Sequence, residues 1–238
     1  MNPFSCLSQI DVNNPASWQG TCFLSFDIDW AHDDVLRDAI ALVEQADVHA
    51  TWFVTHDTPL LAHLRRNPKF ELGIHPNFNE LLMGRDTAGA DADQILATLK
   101  ALVPEARTLR SHSLVQSERL VDQFHQHGIT HVSNFFIPET AERPLWPWQL
   151  WDGMTAIPHG WQDNVSMRLH GTIQPPPPLS TGLRVVDFHP IHVFLNTERV
   201  ARYESARAHF RTPERLQQER NQSTPGARDI LNHILGAA

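Results

Sequence analysis

The stretch Leu24-Ser25-Phe26-Asp27-Ile28-Asp29-Trp30 is an apolar run that ends in two carboxylates one residue apart. Side chains alternate along a strand, so Asp27 and Asp29 are expected together on one face where the strand stops. Two adjacent carboxylates repel each other. Both stay ionised only with a positive partner, and otherwise one pKa rises. The pair therefore points to a bound metal ion or to a carboxyl tuned as a base. A strand end with two solvated acids would look the same, so the pair needs company before it means chemistry.

Histidine provides that company, with 15 in the chain. His75 closes an apolar segment at 70–74, and Asn79 follows four residues later, a spacing that can place both on one face of a turn. With Asp29 they would offer a carboxylate, an imidazole and an amide oxygen. Zinc favours nitrogen, sulfur and carboxylate, whereas an amide oxygen leans toward harder metals. Arg110 and His112 follow the short apolar pair Thr108 and Leu109. His189 and His192 follow the apolar segment 184–188.

These residues need elements to hold them. Strands are expected over 21–29, 49–55, 70–74, 108–109, 131–134 and 184–188, from their β-branched and aromatic content. Between them lie helical patterns. One is capped by Asp33 or Asp34 and runs to about Gln45, one is a short helix after Pro59, and one spans 91–102. Another, capped by Ser117, stops at Gly128. Later come helices over 198–210 and 229–235, with a polar, mobile stretch over 217–226 between them. Strand-helix alternation favours parallel strands in an α/β fold, whose reactive groups gather at the carboxyl ends of the strands. Asp27, Asp29, His75, Arg110 and His112 all fall at such ends. No repeat or domain boundary interrupts 1–238, which reads as a single domain.

Composition narrows the function. The 238 residues are 41% hydrophobic, enough for a buried core. A net charge of -8 argues against nucleic acid and anionic membranes. All 19 basic residues except Lys69 and Lys100 are arginines, so no catalytic lysine can come later. Cys6 and Cys22 form no Cys-x-x-Cys pair, so a thiolate zinc site is not supported. Residues 1–14 do not read as a signal peptide, and no apolar window is long enough to span a membrane. The expectation is a cytoplasmic protein. Composition and pattern leave its oligomeric state open.

The order of motifs resembles the polysaccharide deacetylases of carbohydrate esterase family 4, the NodB-homology type. The resemblance rests on Phe26-Asp27-Ile28-Asp29, then Ala50-Thr51-Trp52-Phe53-Val54, then Glu71-Leu72-Gly73-Ile74-His75 leading to Asn79, then Arg110-Ser111-His112-Ser113, and last Phe188-His189. It covers roughly residues 21–195. The branch it suggests is the one associated with bacterial surface-polysaccharide and O-antigen synthesis.

The resemblance implies a distorted (β/α) barrel of about seven parallel strands. It implies a metal-dependent hydrolase that removes an acetyl or other N-acyl group from a sugar or polysaccharide precursor. One divalent ion, zinc, would be held by Asp29 and His75, with Asn79 where the family has a second histidine. Asp27 matches the general base, His189 the general acid and Arg110 the residue that orients the base. His112 and His192 are spare histidines that could supply the missing nitrogen, His112 the better placed. Asp163, in Trp161-Gln162-Asp163-Asn164, matches a motif that supports the arginine and the acid. Trp146, Trp148, Trp151 and Trp161 could stack on a sugar ring, or could be ordinary packing.

Two other readings compete. Without the second histidine, the chain could be a catalytically impaired, carbohydrate-binding relative. A phosphatase of haloacid-dehalogenase type also uses Asp-x-Asp, but it needs a later lysine and Thr or Val where this chain has Ala31.

Overall fold

The chain, described by a computed structural model over residues 4–85, 89–178 and 182–236, builds one sheet from nine strands. These are β1 (Cys22–Asp27), β2 (Ala50–Val54), β3 (Phe70–Ile74), β4 (Thr108–Leu109), β5 (His131–Phe136), β6 (Trp148–Gln149), β7 (Thr155–His159), β8 (Trp161–Gln162) and β9 (Arg184–Phe188). The spatial order is β6-β7-β5-β4-β3-β2-β1-β9-β8. Every neighbouring pair is parallel except β6 with β7.

The run 155–162 closes the sheet. Phe136 of β5 pairs with His159 of β7, and two residues later Trp161 of β8 pairs with Val186 of β9. Counting β7 and β8 as one run and setting β6 aside leaves seven parallel strands in a distorted (β/α) barrel.

Helices pack outside. They are α1 (Asp33–Ala46), α2 (Leu60–Arg66), α3 (Asn79–Leu82), α4 (Ala92–Leu102), α5 (Glu118–Gln126), α6 (Asp163–His170), α7 (Pro190–Leu195), α8 (Val200–Ala206), α9 (Pro213–Glu219) and α10 (Ala227–Gly236). Local chemistry sets their starts. Asp91 and Gln94 form a reciprocal capping box on α4, and Ser117 accepts from the Leu120 amide of α5. The cap of α1 is His32, whose ring accepts from the Asp34 amide at 3.2 Å. Asp33 and Asp34 occupy the first turn instead, where the helix dipole favours acids. None of these helices is long and apolar enough to cross a membrane.

Alternation along the strands divides the core. Leu24 and Phe26, Trp52 and Val54, Leu72 and Ile74 pack with the helices. Phe23, Phe53, Ile157 and Val185 face inward and meet Leu7, Ile10 and Trp18, which plug the floor of the barrel. Above that floor the inward positions turn polar, as the next subsection describes.

Some local expectations gave way to packing. The 198–210 stretch is not one helix: α8 ends at Ala206 and a tighter turn, Arg207–His209, follows. The 217–226 stretch is held rather than mobile. Asn221 is buried and donates to the Asn196 and Thr224 carbonyls at 3.0 and 2.7 Å. The short strands β6 to β8 and helix α6 were not expected, being too short or too mixed in pattern to stand out.

Gly73 shows how full the barrel is. A Cβ there would lie 2.5 Å from Thr108 Oγ1 and 2.8 Å from the Phe53 ring. Gly73→Ala is therefore expected to destabilise the protein by about 1–3 kcal/mol through overpacking. A urea-denaturation midpoint equal to wild type would refute this.

Candidate active site

Asp29 does not share the face of a strand with Asp27, because β1 stops at Asp27. Instead the backbone turns left-handed at Asp29 (φ 38°) and Trp30 (φ 53°). The turn is anchored by Ile28 N donating to the Phe53 carbonyl at 3.2 Å and Trp30 N donating to Thr55 Oγ1 at 3.1 Å. Trp is poorly suited to this conformation, and such residues cost on the order of 1–3 kcal/mol each. The strain places the Asp29 carboxylate beside His75, at the end of β3.

A second strained turn carries His112. Ser113 (φ 59°) and Leu114 (φ 56°) are also left-handed. Ser111 fixes this turn: its amide donates to Asn134 Oδ1 at 2.7 Å and its hydroxyl to the Val115 carbonyl at 2.6 Å. His112 N donates to the Pro76 carbonyl at 2.9 Å, which ties the turn to the segment after His75.

The two turns bring three donor atoms together. Asp29 Oδ1 lies 3.3 Å from His75 Nε2 and 3.2 Å from His112 Nδ1, and the two nitrogens are 3.3 Å apart. A tetrahedral zinc with bonds of about 2.0–2.1 Å separates its ligands by roughly 3.3–3.4 Å. The triangle therefore fits one face of such a shell. The electrostatics agree. Burial opposes charge on Asp29, but hydrogen bonds from His112 and His75 hold its carboxyl well below the usual range. Burial likewise opposes charge on His75, but Asp27 and Asp29 outweigh it and raise the imidazole pKa. The spot favours positive charge.

Asn79 lies outside this triangle. Its side-chain nitrogen donates to Ser113 Oγ at 3.1 Å, so it supports the turn that carries His112. It does not line the pocket above the triangle.

Beneath the triangle is a buried ionic network. Arg110, with no exposed surface, donates from Nη1 to Asp27 Oδ1 at 3.0 Å, to Ser25 Oγ at 3.0 Å and to Asp187 Oδ1. Its other nitrogens donate to the Ser133 carbonyl and hydroxyl at 3.2 and 3.0 Å, and its plane rests 4.6 Å above the Phe53 ring. Asp187 also accepts from Ser25 Oγ at 2.8 Å and Gln162 Nε2 at 2.9 Å. Burial, with Asp27 nearby, pushes the Asp187 carboxyl up to about 7 against the pull of Arg110. Asp27 in turn lies 3.7 Å from His75 Nδ1.

His189 borders the triangle from just past the end of β9, its Nε2 3.6 Å from Asp29 Oδ2. Asp163, fully buried at the start of α6, meets His189 Nδ1 at 2.7 Å through one oxygen and accepts from the His189 amide at 2.7 Å through the other. Burial disfavours a charged His189, but Asp163, then Asp29 and Asp187, outweigh it and hold the pKa well above the usual range. His192 packs against His189 and Tyr203, with ring centroids 5.6 and 4.9 Å away, and its Nδ1 meets Thr197 Oγ1 at 3.2 Å. Burial pushes its pKa down to about 4, so it stays neutral.

A cavity of about 670 Å³ opens above these groups. None of Trp146, Trp148, Trp151 and Trp161 lines it. Trp161 is buried against Phe188 and donates to the Gln174 carbonyl at 2.9 Å. Trp30 lines the cavity instead, edge-on to His112. Sequence reading also missed Ser25 and Asp187. Strand alternation could have found both, since each sits two residues before a site residue on the same inward face.

Comparison decides the family. The model of the WbmS-like polysaccharide deacetylases matches residues 24–207. The chain belongs to this family. A WbmS-like relative of known structure, from Bordetella bronchiseptica, is named as a polysaccharide deacetylase involved in O-antigen biosynthesis. It is 43% identical, with a TM-score of 0.92 over 99% of this chain and 98% of that one. A 4-alpha-glucanotransferase from Thermococcus litoralis gives 14% identity and a TM-score of 0.45 over 71% of this chain and 33% of that one, too little to carry an argument. No curated protein matches. Membership of the WbmS-like family makes the chain a carbohydrate deacetylase of the hydrolase class.

Proposed function

We propose that the protein is a metal-dependent deacetylase that removes an N-acyl group from a sugar of a surface-polysaccharide precursor, with the ion held by Asp29, His75 and His112. The observation that carries this is the triangle of donor atoms with edges of 3.2–3.3 Å. A catalytically impaired, carbohydrate-binding relative was suggested by the absent second histidine. His112 supplies an imidazole nitrogen from a different turn, which removes the reason for that reading. The O-antigen context of the Bordetella relative supports a surface-polysaccharide precursor as the substrate.

When bound, a divalent ion such as zinc polarises the acyl carbonyl and acidifies water. Asp27 accepts the proton of the attacking water, and Arg110 keeps that carboxylate oriented. His189, charged by its pairing with Asp163, protonates the departing amine as the C–N bond breaks. His75 turns Nε2 to the triangle, while its Nδ1 lies 3.7 Å from Asp27.

Metal analysis tests the assignment. One divalent ion per chain is expected in the purified protein, and close to none in Asp29→Ala. Acetate release from N-acetylated sugars is expected to stop on chelation and return with metal. Activity indifferent to chelation, or phosphatase activity that depends on Asp27, would sink the proposal.

A further inference from the structure

The pocket has a second end that the reaction does not use. Beyond the triangle, part of its wall is made by α6, α8 and the segment after Arg207–His209, which contribute Arg168, Tyr203, Glu204, Phe210 and Arg211. The aromatic rings of Tyr203 and Phe210 pack on each other at 5.0 Å, and Trp30 faces the pocket from the triangle's side. Aromatic faces of this kind suit the apolar face of a sugar ring.

The charges on that wall are unbalanced. Neither Arg168 nor Arg211 makes a hydrogen bond or an ion pair with any described residue. Glu204, the one carboxylate on that wall, is paired with Arg207 at 3.3 Å. Arg199 and Arg202 pair with Glu198, and Arg220 and Arg228 with Asp38. Two guanidiniums without a carboxylate partner give this part of the pocket wall a positive charge. A neutral sugar would displace water from both and return only single hydrogen bonds to hydroxyls. An anion would replace that water with charge-assisted, bidentate bonds, the recognition to which arginine is best fitted.

We infer that the acylamino sugar taken by this site carries an anionic substituent, a carboxylate or a phosphate, which Arg168 and Arg211 hold while the acyl group lies at the triangle. This rests on the deacetylase reading for the acyl end, but the charge preference is a separate property of the far wall.

Calorimetric titration of the metal-loaded protein tests it with N-acetylglucosamine, N-acetylglucosamine 1-phosphate and N-acetylglucosaminuronic acid. At least one anionic sugar is expected to bind about tenfold tighter than the neutral one, with the gap closing at high salt. Which anion is preferred distinguishes carboxylate from phosphate. Arg168→Gln combined with Arg211→Gln is expected to abolish the preference while the bound metal is retained. Equal affinity for neutral and anionic sugars, or a preference that survives in the double variant, overturns the inference. Acetate release assayed in parallel separates the two claims. Release without charge preference removes the inference alone, whereas charge preference without release removes the deacetylase reading and leaves the anion site standing.

Discussion

Arg110→Met is expected to destabilise the protein by about 3–5 kcal/mol, the usual result of removing one partner from a buried ionic cluster. Asp27 and Asp187 are both buried, and both point at the same Nη1. Methionine fills much of the volume but leaves two carboxylates without their cation, and strands the Ser133 carbonyl as well. The deficit should depend on pH. Asp187 is already pushed up to about 7 with Arg110 in place. Without the cation its folded-state pKa rises further above the unfolded value. Between those values the folded state binds the extra proton, so stability falls as pH rises. The variant should thus lose more at about pH 8 than at about pH 5.5, as urea denaturation at both values would reveal. Arg110→Met with Asp187→Asn should recover part of the loss, because one stranded charge is gone. A loss below about 1 kcal/mol in the single variant would mean that the network is not a cohesive unit.

His112→Ala is expected to abolish stoichiometric metal, whereas Asn79→Ala is not. His112 supplies one of three mutually adjacent donor atoms, whereas the Asn79 side chain donates to Ser113 in the turn that carries it. Outer-shell changes typically cost about 10–100-fold in metal affinity or activity, so Asn79→Ala should stay within that range and His112→Ala should exceed it. Competition with a chromophoric chelator measures both affinities, and acetate release should follow the same order. The reverse ranking would return Asn79 to the coordination shell, as family resemblance implied, and would demote His112 to an outer position.

The contrast between these two residues shows how far sequence reading reaches. Asp27, His75, Arg110 and His189 were found as polar residues closing apolar runs, a local signal that strand ends make readable. Asp29 was expected beside Asp27 by strand alternation, but its position comes from a left-handed turn after the strand. Asn79 drew attention by matching a family spacing within one stretch of chain. His112 lies 37 residues beyond His75 and meets it only because β3 and β4 are neighbours in the sheet.

The sequence by itself determined the strand-helix alternation, the parallel sheet and which strand ends carry chemistry, because periodicity, caps and turns act over a few residues. Tertiary structure alone decided which ends meet. Closure of the sheet through 155–162 joins β5 to β9 and sets Asp163 against His189. Inward alternation brings Ser25 and Asp187 from neighbouring strands to one guanidinium. The third corner of the triangle is His112 rather than Asn79 because a strained turn, fastened by Ser111 and Pro76, aims the imidazole at Asp29. That turn is held by contacts between residues distant in sequence, and no local pattern records them.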